Sequence, residues 1–249
     1  MAKRKNQNID GLLRQWEYDP QTVNVRMEKG DDGRAVIQMR VDMGLLQLET
    51  SNRPDGARPF GFETYYDYLV SEALHDDDFA VSDEQCAEVD REFVQFYHRR
   101  VCWLTLREFH QAVSDADHTL ALMDFCAHHS PDEQWTLSHE QYRPFVMFHR
   151  TQAAALAELE GDSPEAAIHE INLGLDRLRG LFAKHEAEEL FDDDDLVVRL
   201  TELRESLRDH YSVGRTLQEQ LQDAVAKEQY ELAAKLRDEL ARREMTFRR

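Results

Sequence analysis

The sequence has few of the residues that stabilise small secreted proteins. It contains only three cysteines among 249 residues, namely Cys86, Cys102 and Cys126. This odd number, without paired spacing, argues against a disulfide framework and predicts reduced thiols in a cytoplasmic protein. No stretch approaches the ~18 apolar residues that span a bilayer, and the charged N-terminus lacks the apolar run of a secretory signal. We therefore expect neither membrane insertion nor secretion.

Basic residues are also scarce. The chain has 30 lysines and arginines against 50 aspartates and glutamates, which gives a net charge of −20. Because phosphate backbones repel such a surface, direct nucleic-acid binding is not expected. The exceptions are two basic ends, Lys3–Lys5 and the group Arg242, Arg243, Arg248 and Arg249. We interpret these ends as solvated tails, and local contact with DNA is the alternative.

The usual signatures of catalysis are missing. The sequence has no Gly-rich ATP-binding loop, no Gly-x-Ser-x-Gly turn and no Cys–His nucleophile pattern. The densest group of metal-ligand types is Cys126, His128 and His129, with His139 and His149 further on, but it lacks the second tight pair of a zinc site. Asp192–Asp195 lacks the spacing of a calcium loop. We predict a non-enzymatic protein without a catalytic site, cofactor or metal.

The N-terminal region shows the alternation of β-strands. Apolar and polar residues alternate in Val23–Lys29, in Arg34–Asp42 and around Leu46 and Leu48, and the Gly30–Gly33 cluster suits a hairpin turn. A short helix containing Ile9, Leu12, Leu13 and Trp16 is predicted before them. A three-stranded meander needs a helix packed on its apolar face. We predict that the helix Phe62–Leu74 covers it.

The loop Asn52–Gly61 contains two prolines, two glycines and two arginines. One interpretation is a structured loop that presents Arg53 and Arg58 to an anionic group, which would be the place for an active site if the protein were an enzyme. The simpler interpretation is a rigid connector with a tight Pro-Asp-Gly turn, and we favour it.

The middle of the chain is predicted to be helical. Helices are predicted over Glu88–Leu106, Glu108–Phe125, Tyr142–Leu159 and Pro164–Phe182, with Ala127–Ser138 as an insertion or long loop. The order of large and small residues resembles tetratricopeptide repeats, as shown by Phe96, Trp103, Phe109, Ala112, Ala116 and Leu120. Arg100 stands where that repeat has glycine, and the spacing from Ala112 to Ala167 exceeds the ~34-residue repeat. The resemblance implies stacked helical hairpins with a peptide groove; unrelated helical hairpins are the alternative.

The four aspartates Asp192–Asp195 mark a boundary and suit a helix N-terminus. Beyond them a seam with alternating gaps of three and four predicts a long helix or coiled coil. The seam comprises Leu196, Leu200, Leu203, Leu207, His210, Gly214, Leu217, Leu221 and Ala224. Ser212–Gly214 is a predicted break or kink. Such a seam would pack within the chain or against a second protomer, as a homodimer.

Thr216–Glu244 has the most distinctive pattern in the chain. It predicts two short amphipathic helices joined by Lys227–Gln229 and folded back on each other. Such a small hairpin buries too little to stand alone, and two of them can form a four-helix bundle. We predict that its apolar residues bind a partner and that Arg237 sets the register. The predicted partner-binding residues are Leu217, Leu221, Val225, Tyr230, Ala233, Leu236, Arg237 and Leu240.

This segment resembles the UVR motif of the UvrB/UvrC family. The matching residues are Leu221, Ala224, Val225, Glu228, Tyr230, Glu231, Ala233, Ala234, Leu236, Arg237 and Asp238. In that family the hairpin joins UvrB to UvrC in excision repair, and it also occurs in McsA-type adaptors and Clp ATPases. The resemblance implies an adaptor that docks another UVR protein or its own copy. The alternatives are an accessory factor in nucleotide excision repair and a hairpin that packs on its own helical domain.

The remainder of the chain adds a fold class but no activity. Its N-terminal region resembles uncharacterised UVR-containing proteins of planctomycete-type bacteria, which bring no known function. We predict an α+β, mostly α protein with a small N-terminal antiparallel β-meander, a helical-repeat-like middle and a C-terminal helical hairpin. The predicted domains cover residues 1–75, 82–190 and 195–244.

Overall fold

The computed structural model describes residues 8–247, apart from the side chains at positions 218, 222, 241 and 243–247. The predicted basic ends Lys3–Lys5 and Arg248–Arg249 lie outside the described residues, as does the side chain of Arg243. The predicted α+β, mostly α class is confirmed. The chain forms two compact units, of which one ends at Ala153 and the other begins at Ala154. The three predicted domain ranges stay predictions.

The first unit combines the sheet with a group of helices. The strands are β1 (Asn24–Lys29), β2 (Ala35–Val41) and β3 (Gly44–Glu49), antiparallel in the order β1-β2-β3 as predicted. The helices are α1 (Asp10–Gln15), a 3-10 turn (Pro59–Gly61), α2 (Tyr65–Ala73), α3 (Asp83–Leu106), α4 (Phe109–His129) and α5 (Glu133–Glu140). Helix α6 (Arg143–Glu160) begins in this unit.

The apolar face of the sheet packs on α3. Ile37 and Leu48 form one buried cluster with Cys102 and Trp103. The prediction that the helix Phe62–Leu74 covers the sheet is therefore wrong. That helix, α2, packs into a second cluster with the first half of α3 and with α4. Both α2 and α3 carry an apolar stripe, and the alternation of residues in the strands does not indicate which of the two helices packs on the sheet.

The polar face of the sheet is also covered. The ring of Trp16 stacks on the guanidinium of Arg26 at 4.3 Å, and Arg26 donates two hydrogen bonds to the side-chain Oε1 atom of Gln38. Arg40 donates from Nε to the Trp16 backbone oxygen at 3.2 Å and lies over the ring of Tyr18. The segment after α1 thus forms a layer on the outer side of β1 and β2.

A segment predicted as a loop is partly helical. Helix α4 continues to His129 and α5 begins at Glu133, so the prediction of a long loop over Ala127–Ser138 is wrong, and the alternative of an insertion stays a prediction. Asp132 caps α5 by accepting a hydrogen bond from the Trp135 N–H at 2.8 Å. The Trp135 indole N–H then donates to Asp90 of α3 at 3.0 Å. The cap fixes the start of this short helix, and the tryptophan links it to α3.

The second unit contains helices and no strand over its described residues. It contains α7 (Pro164–Lys184), a 3-10 helix (Glu188–Asp193), α8 (Asp195–Tyr211), α9 (Leu217–Ala226) and α10 (Tyr230–Phe247). Helices α7 and α8 pack on each other, and Ile171, Leu178 and Leu200 are fully buried. Asp194 caps α8 by accepting from the N–H groups of Leu196 and Val197. Among the described helices, none is both long and apolar enough to cross a bilayer.

The seam predicted from Leu196 to Ala224 does not form one helix. Helix α8 ends at Tyr211, and Ser212 adopts a left-handed conformation with φ of 55°. Helix α9 then begins at Leu217 with a new N-cap at Thr216. The predicted break at Ser212–Gly214 is therefore present, and the predicted continuous helix is not formed. The left-handed Ser212 ends α8, and the capping box at Thr216 starts α9 as a separate helix.

Candidate functional site

The C-terminal hairpin is closed by a short, well-defined turn. Helix α9 ends at Ala226 with Lys227 as its C-cap, and Glu228 adopts a left-handed conformation with φ of 58°. The Gln229 N–H donates to the Ala224 carbonyl at 2.7 Å, which satisfies an otherwise unpaired group of the helix end. Helix α10 begins at the next residue, Tyr230. The turn therefore brings α9 and α10 into contact with each other.

Small residues allow the two helices to approach closely. Ala224 of α9 and Ala233 and Leu236 of α10 are buried, and Leu217 and Leu221 pack against them. Four of the predicted partner-binding residues, Leu217, Leu221, Ala233 and Leu236, thus contribute to the core of the hairpin itself. Their apolar stripes meet each other across the hairpin.

Other apolar side chains of the hairpin point outward. Val225 is 52% exposed and Tyr230 is 68% exposed, and these two residues flank the turn. We call Val225 and Tyr230 the tip surface. Leu232, in the first turn of α10, is 46% exposed. Sequence reasoning did not single out Leu232, because its position falls outside both predicted stripes.

The remaining predicted residues lie along α10. Arg237 is exposed and is two helical turns from Tyr230, on the same face of α10. Its guanidinium pairs with Asp238 at 2.9 Å, an exposed contact that leaves the arginine accessible. Leu240 is half-buried. Val225, Tyr230 and Arg237 are therefore the predicted partner-binding residues that remain available on the outside.

Charged contacts hold the first turn of α9. Thr216 and Glu219 form a capping box, in which the Thr216 N–H donates to Glu219 Oε2 at 2.7 Å. The other carboxylate oxygen, Oε1, accepts from Arg208 of α8, and Arg204 lies 3.9 Å away. Burial alone would raise the pKa of Glu219, but the hydrogen bonds from Thr216 and Arg208 outweigh it and the pKa is lowered.

Sequence reasoning missed this arrangement. Thr216 and Glu219 have the T-x-x-E spacing of a capping box, and this signal could have located the start of α9. Nothing in the sequence indicates that Arg208 reaches the same carboxylate. On the surface of α9, Asp223 accepts from Lys227 at 2.7 Å and pairs with Arg215 at 3.3 Å. The hydrogen bond from Lys227 lowers the pKa of Asp223.

The loop with Arg53 and Arg58 is held against α3 by ion pairs of Arg53. The side chain of Arg53 is buried and pairs with Glu88 at 2.9 Å and with Glu92 at 3.5 Å. Arg58 is exposed on the rim of a cavity of about 280 Å³, where Arg34 is already paired with Glu49. Arg53 thus ties the loop to α3, in agreement with the connector interpretation.

The candidate metal ligands around His128 and His129 do not come together, because each histidine has a different partner. Cys126 is buried, the Nδ1 atom of His128 is bonded to the backbone oxygen of Asp124, and that of His129 to the backbone oxygen of Phe79. His139 contacts Asp90 at 2.8 Å. Over the part of the chain that the structure describes, no three metal-ligand side chains converge.

Comparison with known proteins agrees with the hairpin geometry. The UvrB/uvrC motif, UVR, matches residues 215–243, a minor part of the chain that contains α9 and most of α10. Neither the curated proteins nor the solved structures contain a match to the chain. The predicted planctomycete-type relationship and the tetratricopeptide-like repeats therefore gain no support from comparison. The UVR motif is associated with protein–protein or DNA-repair-related interaction, and residues 215–243 of this chain carry that motif.

Proposed function

We propose that the protein is a non-enzymatic cytoplasmic adaptor that docks a protein partner through its C-terminal hairpin. The observation that carries this proposal is the division of apolar residues within the hairpin. Leu217, Leu221 and Leu236 pack within the core of the hairpin. Val225 and Tyr230 remain exposed beside the turn. Exposed apolar and aromatic residues with a polar rim are typical of protein interfaces.

The partner that fits best is a second two-helix hairpin of the UvrB/UvrC type. Val225 and Tyr230 would supply the apolar centre of the contact, and Arg237 would lie at its edge. Tyrosine and arginine are among the residues that most often dominate binding energy at interfaces. Two hairpins together could form a four-helix bundle, which buries more apolar surface than either hairpin alone. A second copy of this chain is the competing partner.

The proposal is tested by measuring binding of the full-length protein to UvrB and UvrC from its own host by isothermal titration calorimetry. We expect Tyr230→Ser and Val225→Ser to weaken binding by about tenfold or more, as loss of a central interface residue does. The matched control is Leu137→Ser, which removes an equally exposed leucine from α5. Sedimentation of the protein alone detects self-association. Unchanged affinity in both hairpin variants, or no binding to either partner and no dimer, would refute the proposal.

A second function is favoured by the identity of the matched motif. The same hairpin would bring UvrB- or UvrC-like proteins to damaged DNA, so that the protein acts as an accessory factor in nucleotide excision repair. This function predicts that the protein changes incision of damaged DNA by UvrB and UvrC, and that Tyr230→Ser abolishes the change. Deletion of Lys3–Lys5 and Arg248–Arg249 tests whether the tails contact DNA at low salt. Identical incision with and without the protein would exclude this role.

A further inference from the structure

The hairpin is joined to α8 by a short connector that does not by itself define a direction. Helix α8 ends at Tyr211, and the next helical residue is Leu217. Ser212 is left-handed, and the Val213 N–H still pairs with the Arg208 carbonyl at 3.1 Å. A Cβ added at Gly214 would meet no atom within 4 Å, and without a Cβ the backbone of this residue rotates freely. A contact outside the connector is needed to fix the direction of the hairpin.

One carboxylate provides that contact. Glu219 uses Oε2 to cap its own helix and Oε1 to accept from Arg208 of α8. The Arg204 guanidinium is 3.9 Å from Glu219 and donates to Asn172 of α7 at 3.0 Å. A chain of polar contacts therefore runs from α7 through α8 to the first turn of the hairpin.

The burial of this contact gives it more weight than a surface ion pair. The side chains of Arg208 and Glu219 are 14% and 15% exposed. Charge-assisted hydrogen bonds are stronger than neutral ones, and partial burial reduces their screening by salt. The exposed pair between Arg237 and Asp238 lacks this protection, since both side chains are more than half exposed.

We infer that Glu219 is a positioning residue, which through Arg208 locks the hairpin in one orientation relative to α8. This inference rests on the proposed function in one respect only, because the lock decides the direction in which Val225 and Tyr230 are presented to a partner. The orientation itself is a property of the free protein. It can therefore be measured without any partner.

The test is a distance measurement between two spin labels in the full-length protein, one at Arg199→Cys on α8 and one at Lys235→Cys on α10. Both positions are exposed. The native cysteines are buried, and burial raises the pKa of Cys102 and of Cys126 to about 12, so they compete poorly for the label. With Glu219 and Arg208 unchanged, the doubly labelled protein should give one narrow distance distribution.

Glu219→Gln removes the charge and keeps an oxygen that accepts from the Thr216 N–H, so α9 stays capped. We expect the single narrow distance to be lost and replaced by a broad distribution. Arg208→Gln leaves the capping box untouched and should have the same effect. Glu231→Gln, which neutralises an exposed carboxylate of the same hairpin, is the matched control and should leave the distribution narrow.

Circular dichroism separates loss of orientation from loss of the helix. If Glu219→Gln lowers helicity, Arg208→Gln decides the question. A narrow, unshifted distance in Arg208→Gln with unchanged helicity overturns the inference, as does a broad distribution in the unmodified hairpin. Tyr230→Ser should change neither distance nor width, so a failure of partner binding is distinguishable from a failure of the lock.

Discussion

Arg99 of α3 and Asp115 of α4 form a two-point ion pair inside the first unit. The Arg99 Nε atom is 2.9 Å from Asp115 Oδ2, and its Nη2 atom is 2.7 Å from Oδ1. The remaining guanidinium nitrogen donates to the backbone oxygens of Glu49 and Asn52. One buried side chain thus connects the two long helices with the end of β3 and the loop after it.

Removal of one member of this pair should strongly destabilise the first unit. Asp115→Ala leaves the Arg99 guanidinium buried without its counter-charge, and we expect the free energy of unfolding to fall by about 3–5 kcal/mol. Urea denaturation followed by circular dichroism measures the change. Arg91→Gln breaks an exposed pair with Glu88 and should cost less than about 1 kcal/mol. Equal losses in the two variants would contradict the assigned role of burial.

Acid should weaken the first unit through His149. Burial and the neighbouring Arg100 lower the pKa of His149 to about 4, whereas the pKa of a histidine in the unfolded chain is ~6.5. The unfolded state therefore binds the proton first as the pH falls. The stability from the neutral imidazole is complete above pH ~6.5 and is lost progressively as the pH falls from there to about 4, by at most ~3 kcal/mol.

This dependence is checked by urea midpoints measured between pH ~6.5 and ~5, above the range in which most carboxylates titrate. His149→Gln keeps a hydrogen-bond acceptor for the Arg100 Nε atom and should reduce the slope of stability against pH. His128→Gln changes an exposed histidine and serves as the control. An unaltered slope in His149→Gln would show that other groups cause the acid sensitivity.

The turn of the hairpin carries a residue that glycine should improve. Glu228 adopts a left-handed backbone conformation, which costs a residue with a Cβ about 1–2 kcal/mol. Glycine avoids this cost, but its greater backbone freedom in the unfolded chain cancels about half of the gain. We expect Glu228→Gly to stabilise the hairpin by about 0.5–1 kcal/mol. Hydrogen exchange of the α10 amides would show stronger protection. Lys227→Gly, at a residue with ordinary negative φ, should weaken that protection instead.

Within Asp192–Asp195, the effect of substitution should depend on hydrogen bonding more than on charge. Asp194→Ala removes the acceptor of two helix N–H groups and should cost about 1 kcal/mol. Asp193→Ala removes the same charge from an exposed neighbour and should cost clearly less. Thermal unfolding of the two variants side by side gives the comparison. A larger effect at Asp193 would mean that charge repulsion within the four aspartates outweighs the loss of the cap.

The elements themselves were largely predictable from local pattern, whereas their partners were not. Alternation identified the three strands, and Pro164 marked the start of α7. The start of α3 was predicted at Glu88, whereas the helix begins at Asp83. The choice of α3 over α2 as the cover of the sheet depends on contacts between distant residues. Ile37 meets Cys102 and Trp103, which no local period can indicate.

Buried polar residues were the least predictable part. Glu92 is fully buried and accepts hydrogen bonds from the N–H groups of Tyr65 and Tyr66 and contacts His118 at 3.0 Å. In the sequence it is one acidic residue among 50 aspartates and glutamates. The hairpin was recognisable from its motif, but the separation of inward Leu236 from outward Tyr230 required the fold.

The stacking of Trp16 on Arg26, together with the hold of Arg40 on the Trp16 carbonyl, has a practical consequence for shortening the protein. A version that begins at Val23 would keep all three strands and yet expose the side of the sheet that contains Gln38. The smallest fragment of the first unit that folds should therefore start upstream of Trp16, and fusions should be placed before Asp10 rather than between α1 and β1.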